Sequence, residues 1–311
     1  MPSLRRHVLP LLIFLALALV PLAARFGAEG YILSLVTRVM IFGLAALALD
    51  LIMGYGGLVS FGHAAFVGIG AYAVGILASH GFDDLAIQVP VALGASALFA
   101  LVTGALSLRT KGVYFIMITL AFGQMLFFLA TSLAAYGGDD GLTLPGRSLV
   151  LGTTALKSNT GFYYVTLALL AGAYLLARSV VASRFGRVLR GARENAVRLQ
   201  AIGFDPVRFQ LVAYVIAGMM AGLAGVLLAN QAEFVSPAYM TWQRSGELII
   251  MAVLGGLGSL HGAILGAAAF LILEEVLSGY TEHWKMIFGP FLVLVVLFAR
   301  GGLLGLLKGR S

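Results

Sequence analysis

The chain has no cysteine among its 311 residues and only two tryptophans, and charged side chains make up just 11% of it. The first absence excludes disulfides, thiol nucleophiles and thiolate metal clusters, and says nothing of compartment. The scarcity of charge excludes an ordinary soluble domain, in which about 25% of residues are charged. Histidine is sparse as well: His7, His63, His80, His261 and His283 stand in separate segments without metal-ligand spacing. No Ser–His–acid constellation stands out. A phosphate-cradling loop needs G-x-x-x-x-G-K-[ST]. None of Lys111, Lys157, Lys285 or Lys308 fits, and Lys157-Ser158 follows Leu156 where glycine is required. These gaps remove the enzyme readings, nucleotide hydrolysis included.

What is abundant is apolar surface. Hydrophobic residues make up 60% of the chain and the mean hydropathy is +1.00. Apolar runs of bilayer-spanning length, about 20 residues, follow one another almost end to end. Lipid cannot satisfy exposed backbone groups, so such spans are helices or a closed barrel. A barrel alternates polar and apolar residues, whereas Leu85 to Leu108 is apolar all round. The expectation is an all-α, polytopic membrane protein, a single transmembrane domain over 1–311. Spans read near 8–24, 39–53, 58–79, 86–108, 113–134, 162–182, 210–230, 247–258, 261–277 and 286–303. The stretches 39–79 and 247–277 are interrupted at Gly54-Tyr55-Gly56-Gly57 and Gly255-Gly256-Leu257-Gly258, which gives eight to ten spans. The run Val8 to Ala24 after Arg5 and Arg6 reads as a retained first span, with a cleaved signal peptide as the alternative.

The net charge of +7 does not point to nucleic acid, because the Lys and Arg residues cluster at span ends, where topology places them. With both termini inside, 14 of the 20 basic residues fall on the inner side, including the loop at about 183–209. Asp83, Asp84, Asp139 and Asp140 fall outside. The two breaks echo one another: Gly57-Leu58-Val59-Ser60-Phe61-Gly62-His63 resembles Gly256-Leu257-Gly258-Ser259-Leu260-His261-Gly262. Paired glycine-broken helices mark substrate pathways in transporters, and chance in a glycine-rich chain is the alternative.

The inner loop carries the clearest local pattern. Val188, Ala192, Ala196 and Leu199 recur at helical spacing, Arg187, Arg190 and Glu194 lie on another face, and Glu194 is placed to pair with Arg198. The helix should end near Gly203. Such a helix docks in a groove on a partner or lies on anionic lipid. Elsewhere Asp50 lies within a span, where a carboxylate costs roughly 2.5–3.5 kcal/mol. It either lines the pathway or caps the nearby break. Gln124 is interhelical glue or a substrate contact. Ser60, Gly62 and His63 open a helix whose free N–H groups can greet a carboxylate, or form a packed helix start, and Ser259 occupies the matching place in the second break. Asn230, Gln231 and Glu233, with Asp139, Asp140 and Arg147, mark an outer mouth. Glu247 reads as structural, and Gly68, Gly70, Gly218, Gly222 and Gly225 as close helix crossings.

Four ordered segments carry a family resemblance. They are Gly54 to Tyr72; Lys111-Gly112-Val113-Tyr114-Phe115 with Thr119 to Gly123; Gly137-Gly138-Asp139-Asp140-Gly141-Leu142; and the inner loop followed by Ala221 to Gly225 and Gly255 to Ser259. Over about 40–275 the chain resembles permease subunits of branched-chain amino-acid ABC importers, of the M type. The resemblance implies that the inner loop is a coupling helix seated on an ATPase, with Arg187, Arg190, Arg193, Glu194, Ala196, Arg198 and Gly203 as the coupling set. The nine-residue step from Glu194 to Gly203 is longer than in the stricter form of that signature. The resemblance further implies no cofactor in this chain and ATP-Mg in partner subunits. Its partners would be two ATPase subunits, an H-type permease, an extracytoplasmic binding protein docking near Asp139, Asp140 and Glu233, and the lipid of a bacterial inner membrane. Relatives of the same architecture carry urea, amides or aromatic acids. A secondary transporter driven by an ion gradient, with Asp50 as coupling carboxylate, is the competing reading, and a non-transporting membrane scaffold is a third.

Overall fold

The computed structural model of the chain describes residues 2–24, 29–281, 283, 286, 288–290 and 301–307. Its helices are α1 (Pro2–Ala24), α2 (Glu29–Met53), α3 (His63–Ser79), α4 (Leu85–Ser107), α5 (Val113–Ser132), α6 (Asn159–Ala182), α7 (Arg184–Ala201), α8 (Pro206–Ala232), α9 (Trp242–Gly255), α10 (Leu260–Tyr280) and α11 (Gly302–Leu307). Among the described residues six helices are long and apolar enough to cross a membrane: α2, α4, α5, α6, α8 and α10. Val8–Ala24 and α3 are shorter apolar helices, which together make eight. The expected final span at 286–303 lies largely outside the described residues.

Two expected spans are not full crossings. At 1.5 Å per residue α9, with 14 residues, is about 21 Å long, short of a ~30 Å hydrocarbon core. Of the expected span 58–79 only α3 is helical, and residues 57–60 lie outside any helix. Conversely α2 begins ten residues earlier than expected and carries Arg38 inside a span, because Arg38 faces Glu274 of α10 at 3.8 Å.

The centre of the bundle is α8, which packs against α3, α4 and α2, and α2 is buried without interruption from Val39 to Met53. Small residues set the closest crossing. A Cβ on Gly70 would strike the Gly222 carbonyl, and one on Gly225 the Val67 carbonyl. Without a solvent-driven hydrophobic force between spans, such backbone contact supplies the packing.

The long loop after α5 is tied down at the end of the bundle opposite α7. Strand β1 (Leu142–Thr143) pairs antiparallel with β2 (Phe234–Val235), Leu142 opposite Val235. Asp84 caps α4 at Ala86 N (2.8 Å) and also accepts N–H bonds from Leu151 and Gly152. These donors, Ala86 first, hold the Asp84 carboxyl below its ordinary pKa. Asn230, fully buried, accepts from Ser148 N at 2.7 Å.

Candidate functional site

Two half-helices meet inside the bundle. Residues 57–60 lead inward from the α7 end, so α3 starts beside Thr119 and Gly123, well within α5. From the opposite end, the turn Pro237–Met240 dips until Met240 packs on Gly68 of α3, and α9 starts two residues later. The two N-terminal ends touch: Ala64 N–H donates to Ser245 Oγ at 3.1 Å. Each helix turns its positive dipole end toward the other, the arrangement that discontinuous helices adopt around transported solutes.

Around this meeting point the expected pathway residues are shut in. Ser60 and His63 have no exposed surface, His63 stacks edge-on against Phe66, and neither of its nitrogens has a hydrogen-bond partner among the described residues. Phe61 N–H donates to Thr119 Oγ1 at 3.2 Å. A Cβ on Gly62 would strike the Thr119 carbonyl, so α3 and α5 close at that glycine. Gln124 is half-buried one residue past Gly123.

At the α7 end the two glycine breaks touch each other. Asp50, wholly buried near the end of α2, accepts from Gly258 N at 2.8 Å. Ser259 folds its hydroxyl onto the Gly256 carbonyl, so both residues fasten breaks in this arrangement. Arg193 of α7 donates to the Gly54 carbonyl. The Arg193 stem rests on Gly57 (φ 70°), where a side chain would meet Arg193 Cγ at 2.9 Å. One side chain thus anchors α7 to the first break, a hydrogen bond away from the second.

The α7 helix itself departs from the expected single amphipathic rod. Ser183 caps its start, accepting from Gly186 N at 3.4 Å. At Asn195 the backbone leaves the helical region (φ −158°, ψ 96°), and its side chain accepts from Arg198 N at 2.9 Å, capping a second short piece. This kink takes Glu194 and Arg198 off the i, i+4 geometry, and no ion pair joins them among the described residues. The buried face of the helix is Gly186, Leu189, Ala192 and Leu199. Val188 and Ala196 are only half-buried. Gly203 (φ 89°) ends the second piece, with Gly203 N–H on Gln200 O and Phe204 N–H on Leu199 O.

Arg187, Glu194 and Arg198 point outward, and Arg190 reaches back to the Val181 carbonyl at 3.4 Å. Beside them Val197 and Ile202 are 70% and 66% exposed. The sequence pattern passed over both, because helical phase counted through Asn195 gives no reason to single them out. A cavity of about 330 Å³ separates Lys111 in the α4–α5 turn from Arg193 and Ala196.

At the opposite end Asp139 and Asp140 are exposed on the loop after α5. Glu233, in a left-handed conformation (φ 51°), faces Arg147 at 3.6 Å. Arg147 also lies over the Phe162 ring and donates to Leu156 O. The structure therefore brings Glu233 into the loop's fastening and leaves Asp139 and Asp140 apart from it.

The family profile described as branched-chain amino acid transport system / permease component matches residues 31–298. The LivM high-affinity branched-chain amino acid permease protein of Salmonella typhimurium is 26% identical over 94% of this chain and 74% of its own length. A probable LivM permease of Methanocaldococcus jannaschii is 23% identical over 85% of this chain and 90% of its own length. The LivH permease protein of Escherichia coli is 34% identical over 40% of each chain. No solved structure matches the chain.

Proposed function

The chain belongs to the permease-component family of branched-chain amino acid transport systems, is a multi-pass transmembrane subunit of an ATP-driven importer, and, we propose, forms one half of a solute pathway beside an H-type permease. Similarity to both LivM and LivH proteins supports a pathway assembled from two such chains. The solute is a branched-chain amino acid or a related small molecule, delivered by an extracytoplasmic binding protein to the face bearing Asp139 and Asp140.

The observation that carries the mechanism is the junction at α7. A polar, kinked helix lies outside the apolar bundle, presents Val197 and Ile202, and is pinned by Arg193 to the break that Asp50 ties to Gly258. An ATPase seated on α7 would push this junction when it binds ATP-Mg. The motion would pass through Gly54 and Gly258 into α9 and open or close the meeting point of α3 and α9. Both termini and α7 then lie on the cytoplasmic side of a bacterial inner membrane, in accord with the inner bias of Lys and Arg. Asp50 serves here as the fastening of the junction.

The test is a mild-detergent pull-down of the chain from its native membrane with mass spectrometry of what accompanies it. Recovery of two ATPase chains and a second permease is the expected result. Recovery of this chain alone, with flux that follows a proton or sodium gradient, overturns the reading.

A further inference from the structure

Between the meeting point of α3 and α9 and the end of the bundle opposite α7 lies a cavity of about 310 Å³, at the lower end of the ~300–1,000 Å³ range of small-molecule sites. None of the pathway residues expected from the sequence lines it. Its floor is Ala64, whose N–H joins the two half-helices, and its walls come from α2, α3, α8, α9 and the turn before α9.

The polar lining is specific. Arg38 and Arg244 both face the cavity, each with its side chain about one-third exposed, at 35%. Arginines within an apolar bundle are costly and mark functional sites by default. Each has one acidic neighbour: Glu274 lies 3.8 Å from Arg38, and Glu247 lies 2.7 Å from Arg244. A guanidinium carries five N–H donors, so one carboxylate apiece leaves donors for a ligand. Gln231 commits its Nε2 to Ser34 O at 2.8 Å, while its buried Oε1 has no partner among the described residues. The remaining wall is mostly apolar, with Phe42, Val67, Leu228 and Leu248 beside Tyr239, whose hydroxyl donates to Phe234 O.

We propose that this cavity is the transit site for an α-amino acid zwitterion, with the carboxylate between Arg38 and Arg244, the ammonium on Gln231 Oε1, and a branched side chain against Phe42, Val67, Leu228 and Leu248. This rests on the functional reading above and adds to it the site and its ligand chemistry. Two guanidiniums favour an anionic group over a neutral one such as urea, because charge-assisted hydrogen bonds are roughly twice as strong as neutral ones. The apolar wall selects the side chain by shape.

The experiment uses the whole purified membrane assembly. Equilibrium binding of radiolabelled L-leucine is measured without the binding protein, and ATP-driven uptake is measured with it in proteoliposomes. Unlabelled L-leucine should displace the label, and L-leucinamide, which lacks the carboxylate, should not. Arg244→Gln should raise KM for L-leucine about tenfold, as loss of a charged hydrogen bond implies. The double variant Arg38→Gln/Glu274→Gln should do the same without leaving Glu274 alone. Leu228→Phe, which narrows the cavity, should shift preference from L-leucine toward L-valine. Displacement by L-leucinamide as strong as by L-leucine, or wild-type KM in assembled variants, overturns the cavity while leaving the importer reading intact. A wild-type assembly that imports urea but none of these amino acids overturns the assigned substrate class, and the cavity falls with it.

Discussion

Asp50 Oδ1 accepts the backbone N–H of Gly258 at 2.8 Å across 208 positions of sequence, so a carboxylate near the end of α2 holds the loop between α9 and α10. Arg193 grips the Gly54 carbonyl four residues beyond Asp50. Three segments far apart in the chain thus share one junction, and a displacement of α7 has a short route to both half-helices.

Replacing Asp50 should loosen that junction. Asp50→Ala leaves the half-buried Gly258 N–H without its acceptor, a loss of about 1 kcal/mol. Asp50→Asn keeps an acceptor oxygen and should lose less. Thermal unfolding of the purified assembly alongside uptake checks this. Asp50→Ala with unchanged stability and abolished flux would instead make Asp50 a pathway group.

Arg193→Ala should uncouple ATP hydrolysis from uptake, with hydrolysis retained and import lost, because α7 would stay docked while its hold on Gly54 disappears. Glu194→Lys and Arg190→Glu should also uncouple without preventing membrane insertion. Arg187→Ala, at an exposed position, should have the smallest effect of the four. Hydrolysis and uptake assayed in the same proteoliposomes give the ratio directly.

Val197→Asp and Ile202→Asp should weaken ATPase retention. Buried apolar anchors at interfaces are worth about 2 kcal/mol or more, so retention should fall by more than tenfold. Quantitative co-purification measures it. Full recovery of the ATPase with both substitutions would place the docking surface elsewhere.

Gly222→Leu should disrupt the α4–α8 crossing. Its missing Cβ faces Ser96 of α4, and its carbonyl lies against Gly70. Overpacking costs typically about 1–3 kcal/mol. Expression and monodispersity should fall, whereas Gly172→Ala on α6, with open space around it, should be neutral.

The Asp84 carboxyl has a pKa held below the ordinary 3.8 by its three N–H donors. A group depressed on folding stabilises above its unfolded pKa, and that contribution is lost as pH falls through the folded value. Asp84→Asn should therefore speed hydrogen exchange at Leu151 and Gly152 at neutral pH. The gap between variant and wild type should close as pH drops below about 3.8.

Membrane class and helix content were legible in the sequence because apolar length is a local quantity. The two glycine breaks were legible for the same reason, as was the close-packing role of Gly70, Gly222 and Gly225. The kink at Asn195 was not. Asparagine is tolerated within helices, and only the capped second turn shows that it ends one piece and starts another. Arg38 was read as flanking a span because a cation looks foreign in an apolar run. Its partner Glu274 lies 236 positions away and becomes visible only when α2 and α10 pack.

Composition and pattern alone determined that this chain is a helical membrane protein, that its spans are broken twice by glycine, and that a polar helix interrupts them. The bilayer imposes length and hydropathy on every span separately, so those features stand in the linear order. Tertiary structure alone decided which ends meet. It placed the starts of α3 and α9 against each other, tied Asp50 to Gly258, and gathered Arg38, Arg244 and Gln231 around one cavity. Those are relations between segments many tens to hundreds of residues apart, fixed by backbone contact at glycines and by pairing of buried polar groups, and no local pattern encodes them.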